Sequence, residues 1–157
     1  AEHPESPDQV KRAVFGCGAI DTTGNRECCH SALGVDTFDG DKMKLPLFNA
    51  DPANIGEVIR VAETGIYDEI LQEYSPGNYM QSAHILLKPG GKFYVISDYA
   101  TTDDFIKLYH LKRGERIFFN LNVIDTPDEI KKIMKSFGSR VFDRTFMCLA
   151  VFEKRVV

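Results

Sequence analysis

Two glycines separated by one residue interrupt the first apolar run of the chain. The run Ala13-Val14-Phe15 is followed at once by Gly16-Cys17-Gly18. Glycine accepts backbone angles that other residues avoid and carries no side chain, so a Gly-x-Gly segment lets the backbone approach a ligand closely. A plain turn at the end of a strand would use glycine as well. The motif therefore predicts a ligand cradle or a turn, and its surroundings must decide between them.

The cysteines offer less chemistry than the glycines. The chain contains four of them, at Cys17, Cys28, Cys29 and Cys148. Cys28 and Cys29 are adjacent and precede His30, so they lack the spacing that lets zinc ligands converge on one ion. We predict no metal site and reduced, partly buried thiols. This usage is typical of a reducing compartment, and we expect a cytoplasmic protein.

Composition limits the classes of function. The chain has 157 residues, of which 43% are hydrophobic and 27% are charged, with a net charge of −4. These values predict one globular domain over residues 11–157, after a loose, polar leader at residues 1–10. No apolar run is long enough to span a membrane, and the leader is not a secretory signal. The acidic balance does not favour nucleic acid as a partner.

Strands and connections alternate through the first two-thirds of the chain. We predict five strands in this region, over residues 11–15, 32–36, 45–51, 67–73 and 92–97. Apolar residues recur at helical spacing in 53–65 and 79–87, whereas 19–31 holds turn residues and fits at most a short helix. Lys88-Pro89-Gly90-Gly91 is a structural turn. This alternation predicts a parallel sheet that is covered on both faces.

The last third differs in its pattern. A strand is predicted over 116–121, and Thr126-Pro127-Asp128-Glu129 begins a helix with Thr126 as its N-cap. The apolar stripe of this helix consists of Ile130, Ile133, Met134 and Phe137. Two closing strands follow over 140–146 and 148–153, and their short join predicts an antiparallel pair.

This order resembles the class I S-adenosylmethionine-dependent methyltransferases, from about residue 11 to the end. Gly16-Cys17-Gly18 is similar to the glycine motif against which the methionine part of the cofactor lies. Asp36 is similar to the acid that holds the ribose hydroxyls, and the turn at residues 87–91 is similar to the family's helix-to-strand turn. The resemblance implies an α/β, Rossmann-like doubly wound, mostly parallel sheet with an antiparallel C-terminal strand pair. It also implies S-adenosylmethionine as the cofactor.

The resemblance assigns residues to the ribose and adenine. Asp36 would bind the ribose, because a carboxylate can accept hydrogen bonds from two adjacent hydroxyls, and its neighbour Thr37 would also contact the cofactor. Ala50 and Asp51 would lie at the adenine. Two simpler interpretations stay open: Asp36 as a cap at a loop end, and Asp51 in an Asx turn before Pro52.

The resemblance places the reacting end of the cofactor at the fourth strand. Glu73 and Tyr74 would face the methionine end and the methyl acceptor, although a solvent-facing Glu73 is the competing interpretation. Glu73 and Tyr99 are candidates to orient or deprotonate the acceptor. Residues 99–125 are predicted to form a substrate-side insertion, since inserts at this sheet edge carry substrate contacts.

Three functions are compatible with these observations. The leading hypothesis is methyl transfer from S-adenosylmethionine to an unidentified acceptor. The second is a catalytically silent binding or regulatory subunit with a protein partner, because Val14 and Ile20 stand where the family often has an acid and a further glycine. The third is a nicotinamide-dependent dehydrogenase, which would need a third glycine where the chain has Asp21.

Overall fold

The computed structural model describes residues 10–15, 19–20, 26–28, 33–38, 47–48, 51–72, 79–97, 119–137 and 148–156. The strands are β1 (Val10–Phe15), β2 (Ala19–Ile20), β3 (Arg26–Cys28), β4 (Leu33–Phe38), β5 (Leu47–Phe48), β6 (Tyr67–Gln72), β7 (Leu87–Ser97), β8 (Phe119–Ile124) and β9 (Cys148–Lys154). The helices are α1 (Ile55–Val61), α2 (Met80–Leu86) and α3 (Pro127–Ser136).

One sheet in the described part of the chain contains seven strands. Their order is β5-β4-β1-β6-β7-β9-β8, and β1, β6 and β7 are parallel neighbours at its centre. From β1 the chain moves outward through β4 and β5, then returns to the other side of β1 and continues outward through β6 and β7. This reversal of strand order defines a doubly wound α/β sheet. The predicted Rossmann-like architecture is confirmed at this level.

The direction of β4 differs from the prediction. Five of the seven strands run one way, whereas β4 and β9 run the other, so only two of the six neighbouring pairs are parallel. A parallel neighbour of β1 needs a crossover of about a dozen or more residues, usually a helix. Within 19–28 the described residues form the small antiparallel pair of β2 and β3 instead. The sheet is therefore mixed, and the expectation of mostly parallel pairing is wrong on this side of β1.

The closing strand is antiparallel, as predicted, but its partners differ from the predicted ones. β9 lies between β7 and β8 and pairs with both over residues 149–153. A strand has two edges, so no edge of β9 is left for residues 140–146, which were expected to form its hairpin partner. That pairing is wrong, and residues 140–146 themselves lie outside the described residues. The antiparallel C-terminal pair is β8 with β9.

Helices cover both faces of the sheet. On one face, α1 and α2 bury Val58 and Ala83 in a cluster that includes Phe93 of β7. On the other face, α3 buries Ile130 and Met134 in a second cluster. A fully buried Val, Ile, Met or Phe side chain contributes about 1.5–3 kcal/mol to folding. These two clusters hold the central parallel strands in place.

Helix α3 confirms the clearest helix prediction in the sequence. It begins at Pro127, and the predicted stripe packs on the sheet with Phe137 fully buried. Its proline occupies the first turn, where the missing N–H costs nothing. Thr126 is at the predicted N-cap position, but its side chain makes no capping hydrogen bond.

Candidate functional site

The central strands β1 and β6 end side by side. They are parallel, and their last residues, Phe15 and Gln72, are paired in register. The next residues in sequence are Gly16 and Glu73. In open α/β sheets, ligands bind beyond the carboxyl ends of the strands, at the point where the strand order reverses. That point lies between β1 and β6, so this edge is the candidate site.

Aromatic side chains pack beneath this edge of the sheet. Phe15 is fully buried, with its ring centroid 5.6 Å from Tyr79 in an edge-on contact and 5.9 Å from Phe93. Tyr79 immediately precedes α2, so the start of that helix packs under the end of β1. Edge-on and tilted aromatic contacts add stability beyond the buried area. A packed aromatic cluster therefore supports the ends of these strands.

Gln72, a buried polar residue that sequence reasoning overlooked, is paired with Phe15 at this edge. Gln72 has no exposed surface, although it lies at the end of a strand in which Ile70 and Leu71 are also fully buried. In the sequence, Gln72 directly follows Ile70 and Leu71, the last two apolar residues of β6. Buried amides of this kind are hydrogen-bonded in folded proteins.

Most of the predicted site residues lie outside the described part of the chain. They are Gly16, Cys17, Gly18, Ala50, Glu73, Tyr74 and Tyr99. Their cofactor and acceptor contacts stay predictions. Within the predicted insertion at 99–125, residues 119–124 form β8 of the main sheet, and residues 99–118 are outside the described ranges.

Asp36 and Thr37 are placed away from the end of β1. Asp36 is opposite Arg12 in the antiparallel register, and β4 ends at Phe38 beside Val10, the first residue of β1. Arg12 is three positions before Phe15, which corresponds to about 10 Å along a strand. The expectation that the second strand runs parallel to the first is therefore wrong. The predicted ribose contact loses this geometric support and stays a prediction.

Asp51 takes part in an Asx turn. Its Oδ1 accepts a hydrogen bond from the Ala53 N–H at 2.9 Å, and its own N–H donates to Oε2 of Glu57 at 3.2 Å. This is the local arrangement that competes with an adenine contact, and it precedes Pro52 as the sequence suggests. The Ser82 hydroxyl donates to the Pro52 carbonyl at 2.6 Å, which ties this turn to α2.

An ion pair between a buried arginine and a half-buried glutamate lies on the α3 face of the sheet. Nη2 of Arg12 is 2.8 Å from Oε1 of Glu69, and the Tyr94 hydroxyl donates to Oε2 of the same carboxylate at 3.0 Å. The Arg12 guanidinium also lies 5.6 Å from the centroid of the Phe137 ring. Burial, and then the Glu69 charge, raise the pKa of Tyr94, so its phenol stays protonated and serves as a donor. These groups stabilise the scaffold near the start of the strands.

A lysine caps the last turn of α2. Nζ of Lys154 donates to the carbonyls of His84 and Leu87 at 2.7 and 2.8 Å, and burial lowers the pKa of Lys154. The His84 ring packs edge-on against Phe119 at 5.3 Å. A cation near a helix C-terminus satisfies carbonyls that have no partner within the helix. This contact ties β9 to α2.

Stability is expected to fall in mild acid because of His84. Burial, and then the nearby Lys154 charge, hold the pKa of His84 below its usual value. The folded state therefore binds fewer protons, so stability is present above the unfolded pKa of about 6.5 and is lost as the pH falls through the folded pKa. The urea midpoint should decrease from about pH 7 to pH 5, and less so in His84→Gln. An equal decrease in both proteins would contradict this assignment.

Neither a metal-binding cluster nor a membrane-spanning helix is present among the described residues. No group of three or more His, Cys, Asp or Glu side chains in these ranges is placed to hold a metal ion. Among the described helices, none combines the length and the apolar character needed to cross a lipid bilayer.

No protein-family model matches the chain, and no curated protein matches it. Among solved structures, it is similar to a TehB-like SAM-dependent methyltransferase from Corynebacterium glutamicum, at 17% identity over 60% of this chain and 50% of the other, with a TM-score of 0.35. The aminoglycoside resistance methyltransferase NpmB1 matches at 14% identity over 70% and 60%, with a TM-score of 0.41.

Phosphoethanolamine N-methyltransferase 2 of Haemonchus contortus, solved with S-adenosyl-L-methionine, matches at 13% identity over 60% of this chain and 35% of the other, with a TM-score of 0.31. The chain thus spans between about a third and 60% of the length of these three proteins. Its described residues form a Rossmann-like doubly wound sheet, and these three similar solved structures are all methyltransferases.

Proposed function

We propose that the chain binds S-adenosylmethionine and transfers its methyl group to an acceptor that is not yet identified. The observation that carries this proposal is the parallel pairing of Phe15 with Gln72 at the reversal of strand order. The Gly16-Cys17-Gly18 segment follows one of these residues, and Glu73 follows the other. A glycine pair at such an edge suits a ligand that must contact the backbone closely.

The described residues beneath the strand ends form a packed aromatic cluster. This cluster holds the end of β1 in place, because Phe15 packs between Tyr79 and Phe93. Bound S-adenosylmethionine would supply a methyl group that its sulfonium already activates. The task of the protein is then to align the acceptor and exclude water, for which a fixed edge is sufficient. In this proposal Gly16 and Gly18 hold the amino-acid end.

The remaining contacts belong to the same proposal. Cys17, Thr37 and Ala50 would complete the cofactor contacts, with Asp51 at the adenine. Glu73, Tyr74 and Tyr99 would face the acceptor, with Glu73 or Tyr99 as a base where the acceptor needs one. Residues 99–118 would supply further acceptor contacts. The cytoplasm is the compartment that we propose for this activity.

A second candidate is a silent subunit that keeps the fold without turnover. The reversed β4 favours it, because Asp36 pairs opposite Arg12 and not beside the end of β1. With β4 in this direction, the ends of β1 and β6 would lack Asp36, the predicted ribose ligand. Such a subunit would act through a protein partner.

Titration calorimetry with S-adenosylmethionine and S-adenosylhomocysteine tests the first proposal. Saturable binding of both is expected, with Gly18→Val greatly weakening it because the added side chain would occupy the space of the ligand. The urea midpoint of this variant serves as the control for folding. Binding of neither compound would reject the enzyme proposal for this chain.

The Asp36→Ala variant distinguishes the ribose role of Asp36 from a role in strand pairing. A ribose ligand predicts about a tenfold loss of affinity for S-adenosylhomocysteine with an unchanged urea midpoint. If Asp36 instead contributes to the pairing of β4 with β1, where it is opposite Arg12, the affinity for S-adenosylhomocysteine should be unchanged and the urea midpoint should be lower. Equilibrium unfolding and calorimetry on one preparation give both quantities. Unchanged values of both would contradict either role.

A further inference from the structure

The turn between β5 and α1 follows a strand that ends level with β1. Strand β5 runs in the direction of β1, and the register aligns Phe48 with Leu33 and Leu33 with Phe15. Two strand spacings, about 10 Å, therefore separate the end of β1 from the end of β5. Asp51 comes shortly after Phe48 in the sequence and is exposed. A cofactor that extends along this edge from β1 would approach Asp51 with its far end.

Hydrogen bonds fix the internal shape of this turn. The Ala53 N–H donates to Oδ1 of Asp51 at 2.9 Å, and the Asn54 N–H donates to the Asp51 carbonyl at 3.0 Å. The Asp51 N–H donates to Oε2 of Glu57 at 3.2 Å. A carboxylate has two oxygens and about four acceptor sites, so the bond from Ala53 leaves Asp51 able to accept from a ligand. These bonds stay within the turn and the start of α1, so they do not set the distance of the turn from β1.

Helix α2 joins this turn to the end of β1. Ser82 is buried, and its hydroxyl donates to the Pro52 carbonyl at 2.6 Å. Tyr79 immediately precedes the same helix, and its ring packs edge-on against Phe15 with centroids 5.6 Å apart. Less than one helical turn separates Tyr79 from Ser82. One short helix therefore contacts both the end of β1 and the turn that presents Asp51.

We propose that Ser82 is a positioning residue that makes the cofactor site selective for a purine with a 6-amino group. This inference rests on the proposed function, in which Asp51 lies at the adenine. Ser82 holds the turn against α2, and so holds the Asp51 carboxylate at a set distance from the end of β1. A carboxylate held in this way accepts from the amino group and disfavours a purine without that donor, because it would lose water without gaining a partner. Without the Ser82 hydroxyl the turn shifts, and the two purines bind alike.

Titration calorimetry with S-adenosylhomocysteine and its analogue without the 6-amino group measures this selectivity. We expect wild type to prefer the adenine compound about tenfold, as one hydrogen bond to a charged acceptor predicts. Ser82→Ala and Asp51→Ala should each remove most of this preference. Ser82→Cys keeps the size of the side chain with a weak donor, and should show the same loss if Ser82→Ala is too unstable to titrate.

Tyr94→Phe is the matched control for the loss of a buried hydroxyl. It removes one hydroxyl donor, to Oε2 of Glu69 on the α3 face, and should keep the wild-type selectivity. The double variant Ser82→Ala, Asp51→Ala shows whether Ser82 acts through Asp51. If it does, the double variant loses no more selectivity than Asp51→Ala alone. Losses that multiply would overturn the positioning role, because Ser82 would then act independently of the carboxylate.

The outcomes separate this inference from the proposed function. If wild type binds neither compound, both are rejected together. If wild type binds without discriminating, or if the Ser82 variants keep the wild-type selectivity within about twofold, the positioning role is rejected while the proposed function stands. If Tyr94→Phe loses the preference equally, the effect is a general loss of packing and the role of Ser82 is overturned. A loss of selectivity confined to the Ser82 and Asp51 variants supports the inference.

Discussion

Replacing Glu69 by Ala should lower the free energy of unfolding by about 3 kcal/mol, because it removes the carboxylate from a buried arginine. Arg12 is 7% exposed, and its Nη2 lies 2.8 Å from Oε1 of Glu69. The same substitution removes the acceptor of the Tyr94 hydroxyl, which is also buried. Urea unfolding followed by circular dichroism measures the loss.

Two further variants make this result specific. Tyr94→Phe removes only the hydroxyl and should cost about 1 kcal/mol. The double variant Arg12→Met, Glu69→Leu removes both charges and should fall within about 1 kcal/mol of wild type, since apolar residues often replace a buried ion pair without loss. A double variant as unstable as Glu69→Ala would show that the charges do more than neutralise each other.

Gly91→Ala should cost about 2–3 kcal/mol, because there is no room for the added methyl group. A Cβ at this position would meet the carbonyl oxygen of Lys88 at 2.9 Å, that of Tyr67 at 3.1 Å, and Cδ2 of Leu87 at 2.9 Å. Two of these three atoms are backbone, so the neighbours cannot simply rotate away. Thermal or urea unfolding gives the change.

The adjacent Gly90 provides the matched control. Its φ is +82°, yet a Cβ there would be 3.8 Å from the nearest side-chain atom, Cγ2 of Val156. Gly90→Ala should therefore cost only the backbone strain, about 1–2 kcal/mol. Equal or smaller destabilisation in Gly91→Ala would contradict the crowding seen at this position.

Elements with strong local signals were predicted closely. Apolar runs located β1 and β6, and the Pro127 start with its apolar stripe located α3. The residues at 88–91 were expected to form a turn, and the structure accommodates them within β7 as extra residues opposite Asp68. Backbone pairing resumes at Lys92, so the glycines bend the chain without ending the strand.

Strand direction and partners could not be predicted in the same way. The run that contains Asp36 shows that a strand is present but does not show which way it runs beside β1. The partner of β9 depends on contacts between residues that are distant in the chain, and a short join to 140–146 suggested the wrong one. In the site, the glycine pair was visible from sequence, whereas the pairing of Phe15 with Gln72 needed the register of β1 with β6.

The position of β9 in the sheet affects the order in which the strands can pair during synthesis. β9 is the last described strand to leave the ribosome, yet it lies between β7 and β8. In this sheet β8 has no described neighbour other than β9. The six residues of β8 therefore have no strand partner until β9 has been synthesised. Unpaired strands of this kind are the sites at which nascent chains associate wrongly. The sheet can therefore be completed only after all of its other described strands have been synthesised.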